Sequence, residues 1–116
     1  MKEKNLFEYA VIRIVTQVYR EEFLNTGVIL YCAKEKFLQM RFMLDKNRIA
    51  AFAPKQDIES IQELLIGMKE IVDGKQGTIG KLPIAERFRW LTATRSSIVQ
   101  SSKVHPGLCE NAAEML

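Results

Sequence analysis

The chain has 116 residues, is 47% hydrophobic and 27% charged, and carries a formal net charge of +3. This length fits a single domain over residues 1–116, and the apolar content together with the small charge argues against a disordered chain. No apolar run reaches the roughly 18 residues of a membrane-spanning helix, and no cleavable apolar segment follows the charged start. We therefore expect one cytoplasmic domain that does not associate with membranes.

The basic pI and the two cysteines exclude few classes of function. A pI near 9.0 allows acidic partners without requiring them, because a dedicated nucleic-acid-binding protein usually carries a denser basic stripe. Cys32 and Cys109 do not form a Cys-x-x-Cys motif. Since nothing else indicates secretion, we expect two free thiols.

Three β-strands are predicted in the first 44 residues. Residues 7–16 are rich in β-branched and aromatic side chains, which favour strands, and the polar residues 17–25 then form a connection. A second strand is expected over Thr26–Cys32 and a third over Phe37–Leu44. The four residues between these two strands have the length of a hairpin loop.

The middle of the chain changes to a helical pattern. Residues 45–52 could form a short helical turn that ends before Pro54. Asp57 is a suitable N-cap for a long helix that ends near Val72, because the apolar residues that follow Asp57 recur at helical spacing. The glycines in residues 74–80 then predict a flexible loop.

The last third alternates again between helix and strand. Pro83 suits the first position of a short helix that ends near Leu91, and residues 96–101 are interpreted as a fourth strand. Residues 110–116 begin a terminal helix. The predicted fold class is α+β: an antiparallel sheet of about four strands, with one long amphipathic helix and one or two short helices packed on it.

The pattern does not predict a metal or cofactor site. A structural zinc site needs four ligands, whereas Cys32, His105 and Cys109 supply three at most. The glycines near residue 77 follow a helix, so they do not form a Walker phosphate-binding loop, which follows a strand. His105 could serve as a base for a serine or cysteine in the folded chain, but no nucleophile-elbow motif is present.

Two sets of polar residues are candidates for binding. In the first set cations alternate with aromatic side chains, a pairing that binds phosphates and stacks bases: Arg87, Phe88, Arg89, Trp90 and Arg95. The alternative is an ordinary amphipathic helix with solvated arginines and Trp90 as an anchor. The second set precedes the second strand and includes Arg20, Glu22 and Asn25. Its alternative is a turn with surface charges.

The chain resembles a bacterial domain-of-unknown-function family, number 3037. The resemblance rests on Tyr9 to Arg13, on the pattern Arg20-x-Glu22-Phe23-x-Asn25-x-Gly27, on Glu86 to Ala93, and on Arg95-Ser96, Gln100 and His105-x-Gly107-Leu108. Two positions depart from the pattern. Thr94 replaces a usual proline, and Leu82 stands where a serine or threonine N-cap is common.

The resemblance implies a small cytoplasmic bacterial protein with no assigned cofactor or reaction. Genes of the family often lie beside a gene for a HipA-like kinase, which makes such a kinase the expected partner. The resemblance also identifies polar signature positions, and we expect these positions, together with Trp90, to bind a ligand at one end of the sheet: Arg20, Glu22, Asn25, Arg87, Arg89, Trp90, Arg95, Ser96, Gln100 and His105.

Three functions follow in order of preference. The first is an interaction or adaptor protein that acts with a HipA-like kinase. The second is a module that binds nucleic acid or a phosphorylated ligand through the Arg/Trp patch. The third is a small phosphoester hydrolase in which His105 acts as acid or base. The third is the least favoured because the signature contains few carboxylates and no clear nucleophile.

Overall fold

A computed structural model describes residues 4–17, 22–45, 47, 55–75, 77–93 and 99–116. Within these residues the strands are β1 (Asn5–Gln17), β2 (Glu22–Cys32), β3 (Phe37–Phe42), β4 (Val99–Ser101) and β5 (His105–Cys109). The helices are α1 (Lys55–Val72), α2 (Gly77–Gly80), α3 (Ile84–Thr92) and α4 (Ala112–Met115). The predicted α+β fold class with an antiparallel sheet is confirmed.

The long strand β1 lies at the centre of the sheet. It pairs with β2 along one edge, and β3 pairs in turn with the outer edge of β2. Along its other edge β1 pairs with two short strands in succession, β4 at Ile12–Ile14 and β5 at Asn5–Tyr9. Every one of these pairings is antiparallel. The predicted hairpin is present, with Cys32 opposite Phe37 across a four-residue turn.

The main core lies between the sheet and the two longer helices. Because side chains alternate between the two faces of a strand, Ala10, Ile12 and Ile14 point to the same side of β1. They are fully buried and pack in one cluster with residues of α1 and α3, among them Leu65 and Phe88. The helical spacing of apolar residues in α1 therefore serves to cover this face of the sheet.

A smaller core lies on the opposite face, at the β5 end of the sheet. Its buried members are Phe7, Leu30, Cys32, Cys109 and Ala112. Helix α4 contributes Ala112, and the Asn111 side chain caps this helix by accepting a hydrogen bond from the Ala113 N–H at 2.9 Å. The short terminal helix thus covers one half of the face that α1 and α3 leave open. Both cysteines are free thiols, and both are buried.

The sequence prediction of the strands was wrong in two places: one strand is longer than predicted, and one was not predicted. Strand β2 begins at Glu22, although residues 17–25 were predicted to be a connection, because residues 22–25, of which only Glu22 and Asn25 are polar, pair with β1. Strand β5, which contains Pro106 and Gly107, was not predicted. The chain stays extended there because β1 supplies the pairing, and the aromatic ring of Phe7 packs over Gly107.

The helices also differ in detail from the sequence prediction. Helix α1 begins at Lys55, two residues before the predicted cap at Asp57. Residues 77–80 form one helical turn where a flexible loop was expected. Pro83 occupies the N-cap of α3, one position earlier than predicted, and offers no side-chain cap.

The predicted helical turn at 45–52 lies mostly outside the described residues. None of the helices in the described part of the chain is long and apolar enough to cross a membrane.

Candidate functional site

The sheet face opposite α1 and α3 is called the open face below. Its central feature is a row of three polar residues on adjacent strands. Arg13 of β1 pairs with Asn25 of β2 on one side and with Gln100 of β4 on the other. Residues that are paired across antiparallel strands project to the same face, so both amide side chains lie on the same face as Arg13, on the neighbouring strands. The register thus brings two predicted site residues together around an arginine.

This row lies on a part of the open face that no described helix covers. Val11, Val15 and Val28 lie on the same face and are only half-buried, and they belong to neither core cluster. Arg13 is half-buried too, with its Nε atom shielded from solvent, whereas Asn25 is exposed. A cation held between amides on a partly apolar surface can bind carboxylates or phosphates.

The second cation of the open face is Arg41 on β3. Arg41 pairs with Val28, which itself pairs with Val11, so these three residues form the next row across the sheet. Arg41 is exposed, and its guanidinium group makes no hydrogen bond or ion pair with the residues that the structure describes. Among the strand residues of this face whose side chains are described, two are arginines and none is a carboxylate.

His105 lies in a third row of the same face. It pairs with Tyr9, and the two ring centroids are 5.3 Å apart with an interplanar angle of 33°. His105 is exposed, so the pair presents an aromatic surface two residues along β1 from Val11. Such a surface can stack against a planar group of a ligand.

Arg87 has a different setting from the residues above. Its Nη1 atom donates hydrogen bonds to the carbonyl oxygens of Ile71 at 3.2 Å and Val72 at 3.0 Å, in the last turn of α1. The Ile71 carbonyl also accepts from the Gly74 N–H at 3.0 Å, so the guanidinium group adds to the capping of this helix end, where its positive charge is favourable. Arg87 thus holds α1 against α3.

Arg89 and Trp90 lie on the other side of the sheet from Arg13. Helix α3 packs on the main core, where Phe88 stacks on Tyr31 with ring centroids 5.2 Å apart. Arg89 is exposed, and its guanidinium group makes no hydrogen bond or ion pair with the described part of the chain; Trp90 is 36% exposed. The described members of the predicted set therefore occupy two surfaces, the open face and α3, and do not share one pocket.

Several predicted site residues cannot be located. Arg20, Arg95 and Ser96 lie outside the described residues. Glu22 begins β2, and only its backbone is described. The binding roles predicted for these four residues stay predictions.

The surroundings of His105 bear on the hydrolase hypothesis. The Ser101 hydroxyl donates to the Ser102 carbonyl and the Ser102 hydroxyl donates to the Lys103 carbonyl, each at 2.9 Å, so neither donates to the imidazole. Ser96 and Ser97 lie outside the described residues. Within the described ranges, no three His, Cys, Asp or Glu side chains cluster in a way that could hold a metal ion.

Arg13 was not selected as a site residue from the sequence. It occurs in a strand whose other residues are mostly apolar, and its position between Asn25 and Gln100 depends on the register of three strands. The sequence contains one indication of its position, the alternation of side chains between the two faces of a strand. Arg13 lies on the same face of β1 as Tyr9, Val11 and Val15, and a single cation on such a face is unusual.

Comparison with known proteins gives one match. Residues 9–116 match the model of a family described as "Protein of unknown function (DUF3037)". The match confirms the resemblance over nearly the whole chain. No curated protein and no solved structure matches the chain.

Proposed function

The chain belongs to the DUF3037 family of proteins of unknown function, and from this premise we propose that it is an interaction protein that binds an acidic partner protein through its open face. The observation that carries the proposal is the row Asn25–Arg13–Gln100 on a surface without described carboxylates. We infer that the partner is a HipA-like kinase, and that the protein is bacterial and cytoplasmic, as in the family it resembles.

The chemistry of the row supports an acidic protein surface. A guanidinium group flanked by two amides can donate several hydrogen bonds to one carboxylate, and bidentate pairs of this kind fix orientation as well as affinity. The half-buried valines on the same face supply apolar area next to the charge. Protein interfaces combine these features, with arginine enriched and most other charged residues depleted at the centre.

The first experiment is coexpression of the chain with a HipA-like kinase whose gene lies beside a gene of this family. We expect the two proteins to copurify and to stay together at micromolar concentration in size-exclusion chromatography. Clean separation under these conditions would exclude this partner.

The second experiment tests the surface with two variants that change the net charge equally. Asn25→Asp introduces a carboxylate beside Arg13, whereas Asn111→Asp introduces one at the α4 cap, where aspartate is an equally good cap. Like charges across an interface are costly, so we expect Asn25→Asp to weaken the complex about tenfold and Asn111→Asp to leave it unchanged. Equal affinity of the two variants would exclude the open face as the contact.

Nucleic acid is the second candidate ligand, and the Tyr9–His105 pair is the observation that favours it. Aromatic side chains on an open sheet stack bases, and Arg13 lies on the same strand, where it can contact a phosphate. Titration with single-stranded oligonucleotides at 50 and 200 mM salt tests this candidate. Binding that weakens steeply with salt would support it, and no binding at low salt would exclude it.

A further inference from the structure

The outer edge of β3 presents free hydrogen-bonding groups. The Met43 N–H donates to the Thr26 carbonyl at 2.8 Å, so Met43 points its backbone groups toward β2. Because these directions alternate along an antiparallel strand, Arg41, Gln39 and Phe37 also point toward β2. The N–H and C=O groups of the intervening residues point away from the sheet: Leu38, Met40 and Phe42. No strand among the described residues pairs with this edge.

A groove follows this edge. Two adjoining cavities of about 470 Å³ each share Met40, Arg41 and Lys69 in their walls. One cavity extends to Thr26 and Met43, and the other extends to Phe37 and to Leu116 at the end of the chain. Helix α1 lies on one side of the groove and the α4 region lies on the other. Lys69 of α1 reaches across the edge to Gln39 Oε1, so an added strand would displace this flexible side chain.

The two edges of the sheet differ in how well they are protected against pairing with another chain. The Val11 backbone N–H and C=O both bond to Ser102, so the alternation along β1 directs the backbone groups of Tyr9 and Phe7 toward β5. Pro106 then faces the free edge of β5, where it removes a donor and obstructs pairing. Strand β3 contains no proline, although unprotected edges of this kind are usually avoided because they pair with other chains.

The charges beside the β3 edge favour an acidic ligand. The Arg41 guanidinium group has no hydrogen-bond or ion-pair partner in the described part of the chain. Lys69 Nζ lies 3.1 Å from the Asp73 carboxylate and donates to Gln39 Oε1 at 3.2 Å. Among the described residues that line the two cavities, Arg41 and Lys69 are cations and no side chain is acidic. Exposed or half-buried apolar side chains lie at the two ends: Met43 at one, Phe37 and Leu116 at the other.

We propose that this groove binds an extended acidic segment of a partner protein, which adds as a further strand to the edge of β3. The outward backbone groups of Leu38, Met40 and Phe42 form the ladder, carboxylates of the segment contact Arg41 and Lys69, and apolar side chains contact Met43 and Phe37. Strand addition to an exposed edge is a general mode of peptide recognition. The groove borders the open face and shares Arg41 with it, but it does not include the Asn25–Arg13–Gln100 row, so the proposal does not depend on that row.

The test uses synthetic ten-residue peptides and the full chain. The first peptide alternates valine and glutamate, the second alternates valine and lysine, and the third is the first with alternate backbone nitrogens methylated. Fluorescence anisotropy measures the affinity of each. We expect binding of the first peptide alone. Equal binding of the lysine peptide would refute the electrostatic part of the proposal, and equal binding of the methylated peptide would refute the ladder.

Variants and amide exchange locate the binding site. Arg41→Glu should weaken binding of the glutamate peptide at least about tenfold, because it places like charges in contact. Lys103→Glu makes the same charge change near the opposite edge and should leave the affinity unchanged. Both residues are exposed, and thermal melting checks that both variants fold. Peptide binding should slow exchange of the amide protons of Leu38, Met40 and Phe42; protection of β5 amides instead would overturn the assignment.

Two further outcomes separate this proposal from its alternatives. If sedimentation shows that the chain dimerises by itself and Arg41→Glu makes it monomeric, the occupant is a second copy and the proposed partner is wrong. Asn25→Asp should bind the glutamate peptide as the wild type does. If the peptide fails to bind while Asn25→Asp still disrupts the kinase complex, only the groove proposal is refuted.

Discussion

The Ser102 side chain and backbone together bond both backbone polar groups of Val11. The Ser102 hydroxyl accepts from the Val11 N–H at 2.8 Å, and the Ser102 N–H donates to the Val11 carbonyl at 2.8 Å. Val11 lies between the residues of β1 that pair with β4 and those that pair with β5. Ser102 thus satisfies both backbone groups of Val11 at the junction of the two short strands, with its hydroxyl as the acceptor where a strand would use a backbone carbonyl.

Ser102→Ala should destabilise the protein by about 1–3 kcal/mol, because it leaves the partly buried Val11 N–H without its acceptor. Urea unfolding measures the loss. Ser101→Ala is the control: the Ser101 hydroxyl is half-buried and donates only to the Ser102 carbonyl, so its removal should cost less than about 1 kcal/mol. Equal losses in the two variants would contradict a special role for Ser102.

Arg87→Met should destabilise the protein by about 1.5–3 kcal/mol, the value expected for charged hydrogen bonds to backbone groups. It removes both bonds to the last turn of α1 and the favourable charge at that helix end. Arg89→Met on the same helix should change stability by less than about 0.5 kcal/mol, because Arg89 is exposed. If Arg87→Met instead left the melting temperature unchanged, the capping role would be wrong.

Gly27→Ala should destabilise the sheet by about 1–3 kcal/mol through overpacking. A Cβ atom at Gly27 would lie 2.5 Å from the Arg41 carbonyl oxygen and 2.8 Å from the Phe42 Cβ, and neither position is free to move. Gly67→Ala is the matched control, because nothing lies within 4 Å of a Cβ at that helical position. Alanine favours a helix interior, so this variant should gain about 0.5–1 kcal/mol. Denaturant midpoints compare both variants with the wild type.

Stability should fall at alkaline pH through Cys109. Burial raises the pKa of this thiol, and the neighbouring Cys32 thiol and Glu35 carboxylate raise it further. The folded state then holds the proton more tightly than the unfolded state. The resulting stabilisation is complete below the ordinary cysteine pKa of about 8.5, and it is lost as the pH rises from there through the folded pKa.

Cys109→Ala isolates this effect. The free energy of unfolding of the wild type should decrease more steeply between pH 8 and pH 10 than that of the variant, because the variant lacks the shifted group. Lost packing lowers the free energy of unfolding of the variant by the same amount at every pH. Only the difference between the two slopes of this free energy against pH is therefore informative. Parallel curves would contradict a raised pKa of Cys109 in the folded state.

The candidate site could be predicted only in part, for reasons that particular residues illustrate. Asn25, Gln100 and His105 were selected from the sequence and lie on one face, yet the arginine between the first two was not selected. Arg13 becomes a site residue only through the pairing of β1 with β2 and β4. Arg87 was selected for the same reason as Arg89, since sequence cannot distinguish an exposed guanidinium group from one that caps a neighbouring helix.

The sequence by itself determined the fold class, the family, the β2–β3 hairpin and the long helix, because these depend on local periodicity and on motif spacing. Only the tertiary structure decided that Pro106 and Gly107 belong to a strand, that the described signature residues divide between the open face and α3, and that no described strand pairs with the outer edge of β3. The physical reason is that strand register and edge position are set by hydrogen bonds between residues distant in the chain, for which local sequence carries no signal.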